Sequence, residues 1–126
     1  MLPGRRTHTT LPTTDLERSR GFYEGVLGFR PADVSPGGVT YESADGTTFL
    51  VFPSAGRAAG THTQMGFTVP DIEVDVRELK ERGVIFETYD MAGFDPGISI
   101  ASVPGLRTAW FKDPDGNLLG IVQRVN

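Results

Sequence analysis

The sequence predicts an α+β fold of two tandem βαβββ modules forming a curved mixed sheet around a central cavity. Three observations lead there. The segment from His8 to Leu16 has the layout of the segment from Gln64 to Ile72, at an offset of 56 residues. Each copy opens as a short strand running into an amphipathic helix, and each closes on an Asp-Gly turn between β-prone runs, at Asp45-Gly46 and Asp115-Gly116. Module one is expected over about residues 5–57 and module two over about 58–126.

In the first module, Thr14-Asp15-Leu16-Glu17 reads as a capping box that starts a helix. Leu16, Phe22, Tyr23, Val26 and Leu27 give that helix an apolar face, and Gly28 ends it. A short strand is expected over 29–34. Val39–Ser43 and Thr47–Phe52 then flank Asp45-Gly46 as a hairpin. In the second module, Asp71 is placed to cap a helix. Ile72, Val76 and Leu79 form its buried stripe, while Glu73, Asp75, Arg77, Glu78, Lys80 and Glu81 face water and Gly83 stops it. A strand is expected over 85–90, followed by the hairpin of Leu106–Lys112 and Asn117–Gln123. The two hairpins are 70 residues apart rather than 56, which puts about 14 extra residues in the irregular stretch Met91–Gly105, read as a covering loop. The competing architecture, a ferredoxin-like sandwich, needs one hairpin per repeat instead of three strands after each helix.

Composition narrows the function classes. The chain has 126 residues, 38% hydrophobic and 22% charged, the balance of a globular domain large enough for one core. Cysteine is absent, which removes disulfides, thiolate metal sites and thiol nucleophiles. A net charge of −4 supplies no basic footprint for nucleic acid, so none is expected as a partner. No apolar run approaches membrane-spanning length, and Met1 to Thr10 does not read as a signal peptide. Membrane association is therefore not expected, and a cytoplasmic location is the neutral expectation. The sequence has no Gly-rich phosphate loop, no Gly-x-Ser-x-Gly elbow and no His-Glu-x-x-His motif.

Asp15-Leu-Glu-Arg-Ser-Arg-Gly-Phe-Tyr-Glu-Gly-Val-Leu-Gly-Phe29, followed much later by Phe111-Lys-Asp-Pro-Asp-Gly-Asn117, resembles the vicinal oxygen chelate superfamily. That group includes glyoxalase I, extradiol dioxygenases, fosfomycin-modifying enzymes and bleomycin-binding resistance proteins. The resemblance covers nearly the whole chain and implies a small-molecule ligand held in a trough between modules, and a homodimer. Its catalytic members hold one divalent ion on four inward positions, which fall here on His8, Leu50, Gln64 and Gly120. His8 offers an imidazole and Gln64 an amide oxygen, but Leu50 and Gly120 have no donor atom. One His and one Gln, with no carboxylate to compensate charge, make a poor cage. No metal is therefore expected. The alternative keeps one divalent ion on His8 and Gln64, with His62 as a third candidate two residues before Gln64, roughly 7 Å along the strand.

The ligand-binding candidates are His8, Gln64, His62, Trp110, Phe94 and Arg107; no residue is assigned a catalytic role. Trp110 and Phe111 are neighbours on one strand, so one faces the trough and the other the helix layer, and the sequence leaves open which. Parity ties Arg107 to Phe111, and a trough-facing Arg107 would attract an anion. Tyr41, Phe49, Tyr89 and Phe94 read mostly as core, with Phe94 the best lid candidate. Asp113, Asp115 and Asn117 read as turn residues bonding local backbone. The expected function is small-molecule binding, of a drug or a metabolite, with a degraded metal site. Against it stand a divergent divalent-metal-dependent lyase, transferase or dioxygenase, and a metal-independent acid/base enzyme using His8.

Overall fold

In the computed structural model, which describes residues 1–54 and 61–125, every strand belongs to one of two mixed sheets. Contacts divide the chain into two units, Met1–Ala58 and Ala59–Asn126. The expected module boundary near residue 57 lies outside the described residues.

The first unit runs β1 (Thr9–Thr13), α1 (Leu16–Arg20), a π-helical continuation (Gly21–Val26), β2 (Pro31–Ser35), β3 (Gly38–Glu42) and β4 (Thr48–Pro53). Its sheet has the order β1-β4-β3-β2, with β1 parallel to β4 and the other pairs antiparallel. Pro12 is tolerated in β1 because that strand is the outer one in its sheet and, with the Thr13 carbonyl turned to Ser54, the backbone nitrogen of Pro12 points away from β4. Side chains alternate in the expected way. Leu11, Val39, Tyr41, Phe49 and Val51 point to one face and are buried there with Tyr23, whose ring lies 5.7 Å from Tyr41 and 5.6 Å from Phe49. Thr10, Thr40 and Leu50 sit in one row on the opposite face.

The start of α1 differs from expectation. Asp15, not Thr14, is the cap: its backbone is extended and its Oδ1 accepts the Arg18 N–H at 3.1 Å. Thr14 accepts instead from the Arg18 guanidinium. The helix then widens, with the Leu27 N–H bonding the Phe22 carbonyl five residues back at 3.0 Å, a π-type bond in a stretch weakened by Gly21 and Gly25. Gly28, at φ 83°, ends it as expected. The Asp45-Gly46 turn has φ of 60° and 73°, the double positive φ that a two-residue hairpin needs.

The second unit runs β5 (Met65–Thr68), α2 (Ile72–Glu81), β6 (Phe94–Asp95), β7 (Ile100–Val103), β8 (Leu106–Lys112) and β9 (Leu118–Arg124), in the sheet order β5-β9-β8-β7-β6. α2 buries Ile72 and Val76 and packs on β8 and β9. Asp71 occupies the cap position without a side-chain cap bond; the Ile72 N–H donates to Gln123 Oε1 at 3.0 Å instead. Asp75 is half-buried rather than fully in water, and burial, then Glu78 and Asp71, raise its pKa. At the other end, Val84 N–H bonds the Leu79 carbonyl and Gly83 N–H the Lys80 carbonyl, a Schellman closure around Gly83 at φ 92°.

Two expectations about this unit are corrected. Residues 85–90 form no strand of their own; Phe86 makes an isolated bridge to Phe111, and Glu87 N–H bonds the Trp110 carbonyl. The strand next to β8 is β7, inside the stretch read as loop. Pro104-Gly105 is not part of an insertion but the tight turn joining Val103 to Leu106, with Gly105 at φ 83°.

Candidate functional site

Alternation along β8 sorts the second sheet into two faces. Ala109 and Phe111 are buried toward α2, and Phe111 meets Phe86 edge-on at 5.5 Å. Arg107 shares that face. Its Nη1 pairs with Glu73 of α2 at 2.9 Å and its Nε donates to Ser102 Oγ. Arg107 therefore serves the helix side, and a trough-facing role is ruled out by the parity that links it to Phe111. Trp110 takes the opposite face, half-exposed.

The side chains around Trp110 build a shelf. Its indole Nε1 donates to Thr63 Oγ1 at 3.1 Å. Tyr89 stands edge-on to the indole, with centroids 5.2 Å apart at 88°, and Phe94 stands edge-on to Tyr89 at 6.4 Å. Phe94 reaches this side by register, since it pairs with Ala101, which pairs with Thr108, two residues from Trp110. Gly120 pairs with Trp110 on one side and Gly66 on the other, so the strip beside the indole has no side chains. A Cβ added at Gly120 would lie 3.2 Å from Thr63 Cγ2 and 3.5 Å from Trp110 Cδ1, which shows how closely the indole covers that strand. Tyr89 and Phe94, expected to be mostly core, are half-buried here instead. Tyr89, Thr63 and Gly66 were absent from the sequence-derived site. Tyr89 follows Trp110 in space only through the irregular 85–90 path, which no spacing rule reveals.

The shelf is polarisable and apolar, with hydroxyls at its edge. Burial, then Glu87, pushes the Tyr89 hydroxyl above its ordinary pKa, so it remains a neutral donor at neutral pH. No imidazole or carboxylate among the described residues is bonded to the shelf residues.

Gln64 has a different job from the one its position suggests. Its Nε2 donates to Asn117 Oδ1 at 3.0 Å and its Oε1 accepts the Leu118 N–H at 3.2 Å. Asn117 in turn donates to Asp113 Oδ2 at 2.7 Å, and Asp113 Oδ1 accepts the backbone N–H groups of Asp115 and Asn117. Asp113, Asp115 and Asn117 are buried, and the side chains of Asp113 and Asn117 hold the β8–β9 turn, with Asp115 bonded through its backbone N–H. Gln64 is the clamp tying that turn to β5. His62 is exposed three residues before β5, and His8 is exposed immediately before β1. Leu50 and Gly120 lie on the faces of their sheets away from the helices. Among the described residues no group of three or more His, Cys, Asp or Glu side chains is gathered as an ion site.

The family model of the Glyoxalase/Bleomycin resistance protein/Dioxygenase superfamily matches residues 5–121. Among solved structures, the chain is similar to an antibiotic binding protein from a Streptomyces species, with 23% identity, 99% of each chain covered and a TM-score of 0.73. It is similar also to a genomically encoded fosfomycin resistance protein from Listeria monocytogenes, with 17% identity, 97% of this chain and 94% of that one covered, and a TM-score of 0.70. A lactoylglutathione lyase from Agrobacterium tumefaciens aligns with 21% identity, 96% and 94% coverage and a TM-score of 0.64. No curated protein matches the sequence. At these identities the likeness carries the fold and nothing finer.

Proposed function

This chain belongs to the Glyoxalase/Bleomycin resistance protein/Dioxygenase superfamily, and from that premise we propose that it binds a small planar organic molecule, a drug or a metabolite, on the Trp110 face of its second sheet without a metal ion. The observation that carries this reading is the shelf itself: a half-exposed indole braced by Thr63 and Tyr89 and lying close over Gly120. An aromatic surface with a few hydroxyl groups at its edge suits stacking of a flat ring. That an antibiotic binding protein and a fosfomycin resistance protein share the fold supports a ligand of drug-like chemistry.

The donor chemistry supports the metal-free part. Of the four positions at which catalytic relatives are expected to hold an ion, Leu50 and Gly120 have nothing to offer, and the oxygen of Gln64 already accepts a backbone N–H. The residues present do not fit a divalent cation, which needs several oxygen or nitrogen donors and compensating negative charge. The same reading includes a homodimer, on the family resemblance alone, and a cytoplasmic location as the neutral expectation.

Trp110 is the only tryptophan, so its fluorescence reports the shelf without labelling. Titrating the protein with a panel of planar aromatic compounds in excess chelator is expected to give saturable quenching for at least one. Trp110→Ala should weaken that binding, read by calorimetry, about tenfold or more, on the order of 1.4 kcal/mol. Binding that requires an added divalent ion, or that survives Trp110→Ala unchanged, would overturn the proposal.

A further inference from the structure

On the helix side of the same sheet, a second recess of about 250 Å³ lies between α2 and the loop leading into β7. It is lined by Glu73, Val76, Arg77, Lys80, Gly97, Ile98 and Ile100. Residues 73, 76, 77 and 80 fall at i, i+3, i+4 and i+7, one stripe of α2, beside the stripe that packs into the core. The floor is apolar, from Val76, Ile98 and Ile100, and the helix side is charged.

Acids and bases both border the recess. Glu73 is neutralised by Arg107 at 2.9 Å. Asp95, next to the recess, turns its Oδ1 onto the Gly97 N–H at 2.8 Å. Among the described residues the Arg77 side chain makes no hydrogen bond or ion pair, although Glu73 and Glu81 stand one turn away on either side. The Lys80 ammonium rests over the Phe86 ring at 6.0 Å, with no carboxylate on it. Two cations thus border an apolar pocket with no acid assigned to them.

The opposite wall is built rather than loose. The Asp95 carbonyl accepts the N–H groups of Ile98 and Ser99, at 3.3 and 2.8 Å. Ser99 is buried at φ 62°, a left-handed conformation that costs a residue with a Cβ on the order of 1 kcal/mol. This conformation sets Ile98 and Ile100 on either side of the bend, and both line the recess.

We infer that this recess binds a small monocarboxylate with a compact apolar body, its carboxylate on Arg77 and Lys80 and its body against Val76, Ile98 and Ile100. The volume, about eight times a water's share of the liquid, suits a metabolite-sized acid rather than a drug-sized one. The site is separate from the Trp110 shelf, so either proposal can fail without the other.

The test uses the full chain, 15N-labelled, titrated with sodium phenylacetate and, separately, with the neutral phenylacetamide. Phenylacetate is expected to shift the amide signals of Gly97, Ile98 and Ile100 saturably. Phenylacetamide, and phenylacetate with the Arg77→Gln/Lys80→Gln variant, should each bind roughly tenfold to a hundredfold more weakly, the span of a lost charge-assisted hydrogen bond. Equal binding of acid and amide read at Gly97, Ile98 and Ile100, no saturable shift of those three signals, or an undiminished affinity in the double variant would each overturn the inference, whatever is seen at Tyr89 and Trp110.

Discussion

Glu24, on the widened turn after α1, accepts from Arg20 Nε at 2.7 Å and from the Tyr41 hydroxyl at 2.9 Å. The Arg20 hydrogen bond holds its carboxyl below the usual range, burial opposes, and the Tyr41 bond adds to the lowering. Burial first, then the bond to Glu24, pushes Tyr41 well above the ordinary phenol value, so it stays a donor. The carboxyl is thus more acidic folded than unfolded. Its contribution to stability is whole above the ordinary carboxylate pKa, about 4.3, and is lost as pH falls through the depressed folded value. Urea midpoints measured from neutral pH down to about 3 should therefore fall less steeply in Glu24→Gln than in the wild type, and an unchanged slope would remove Glu24 from the acid response. At this scale the sequence is partly legible. Asp113, Asp115 and Asn117 could be read as turn-formers because their partners are two to four residues away. Gln64 could not, because the groups that engage its amide lie 53 and 54 residues on. A long-range partner leaves no spacing signal.

Among the elements, the connection from α2 to β8 is where sequence reading fails, and glycines show why. Gly93, at φ 84°, accepts the Ser102 N–H on its carbonyl, and a Cβ there would sit 2.1 Å from the Ser102 oxygen. The positive φ that looks like loop punctuation is the means by which β6 lies against β7. Gly93→Ala is expected to cost about 2 kcal/mol or more, seen as a lower thermal midpoint, whereas Gly21→Ala meets nothing within 4 Å and should be neutral or mildly stabilising. The Asp45-Gly46 hairpin was legible because its two-residue chemistry is local. Pro104-Gly105 carries the same kind of information, but Ile100–Val103 is too short and too mixed in polarity to announce itself as the partner strand of β8.

For the whole molecule, both repeat offsets survive folding. Thr9 and Met65 open equivalent strands 56 residues apart, and Thr48 and Leu118 open equivalent strands 70 apart; each opening strand lies parallel to its closing one. Among the described residues no helix is long and apolar enough to cross a membrane. The duplicated plan was readable because a repeat is a property of the chain itself, while the shelf and the recess depend on which face each strand turns outward. If the proposed metal-free reading holds, thermal midpoints should be the same in chelator and in excess Zn²⁺, Mn²⁺ or Mg²⁺. An ion at about 100 times its dissociation constant would add roughly 2.7 kcal/mol, and loss of that gain in His8→Ala would establish the metal-dependent alternative.

The outer strands of the first sheet have a bearing on handling the protein at high concentration. β2 is exposed along its whole length, yet its ladder to β3 is broken between Pro31 and Asp33, and β1 carries Pro12 where a hydrogen-bond donor would otherwise stand. A strand from another molecule laid along β2 meets a kink within its first few residues. That discourages the runaway stacking by which open sheets turn into fibres.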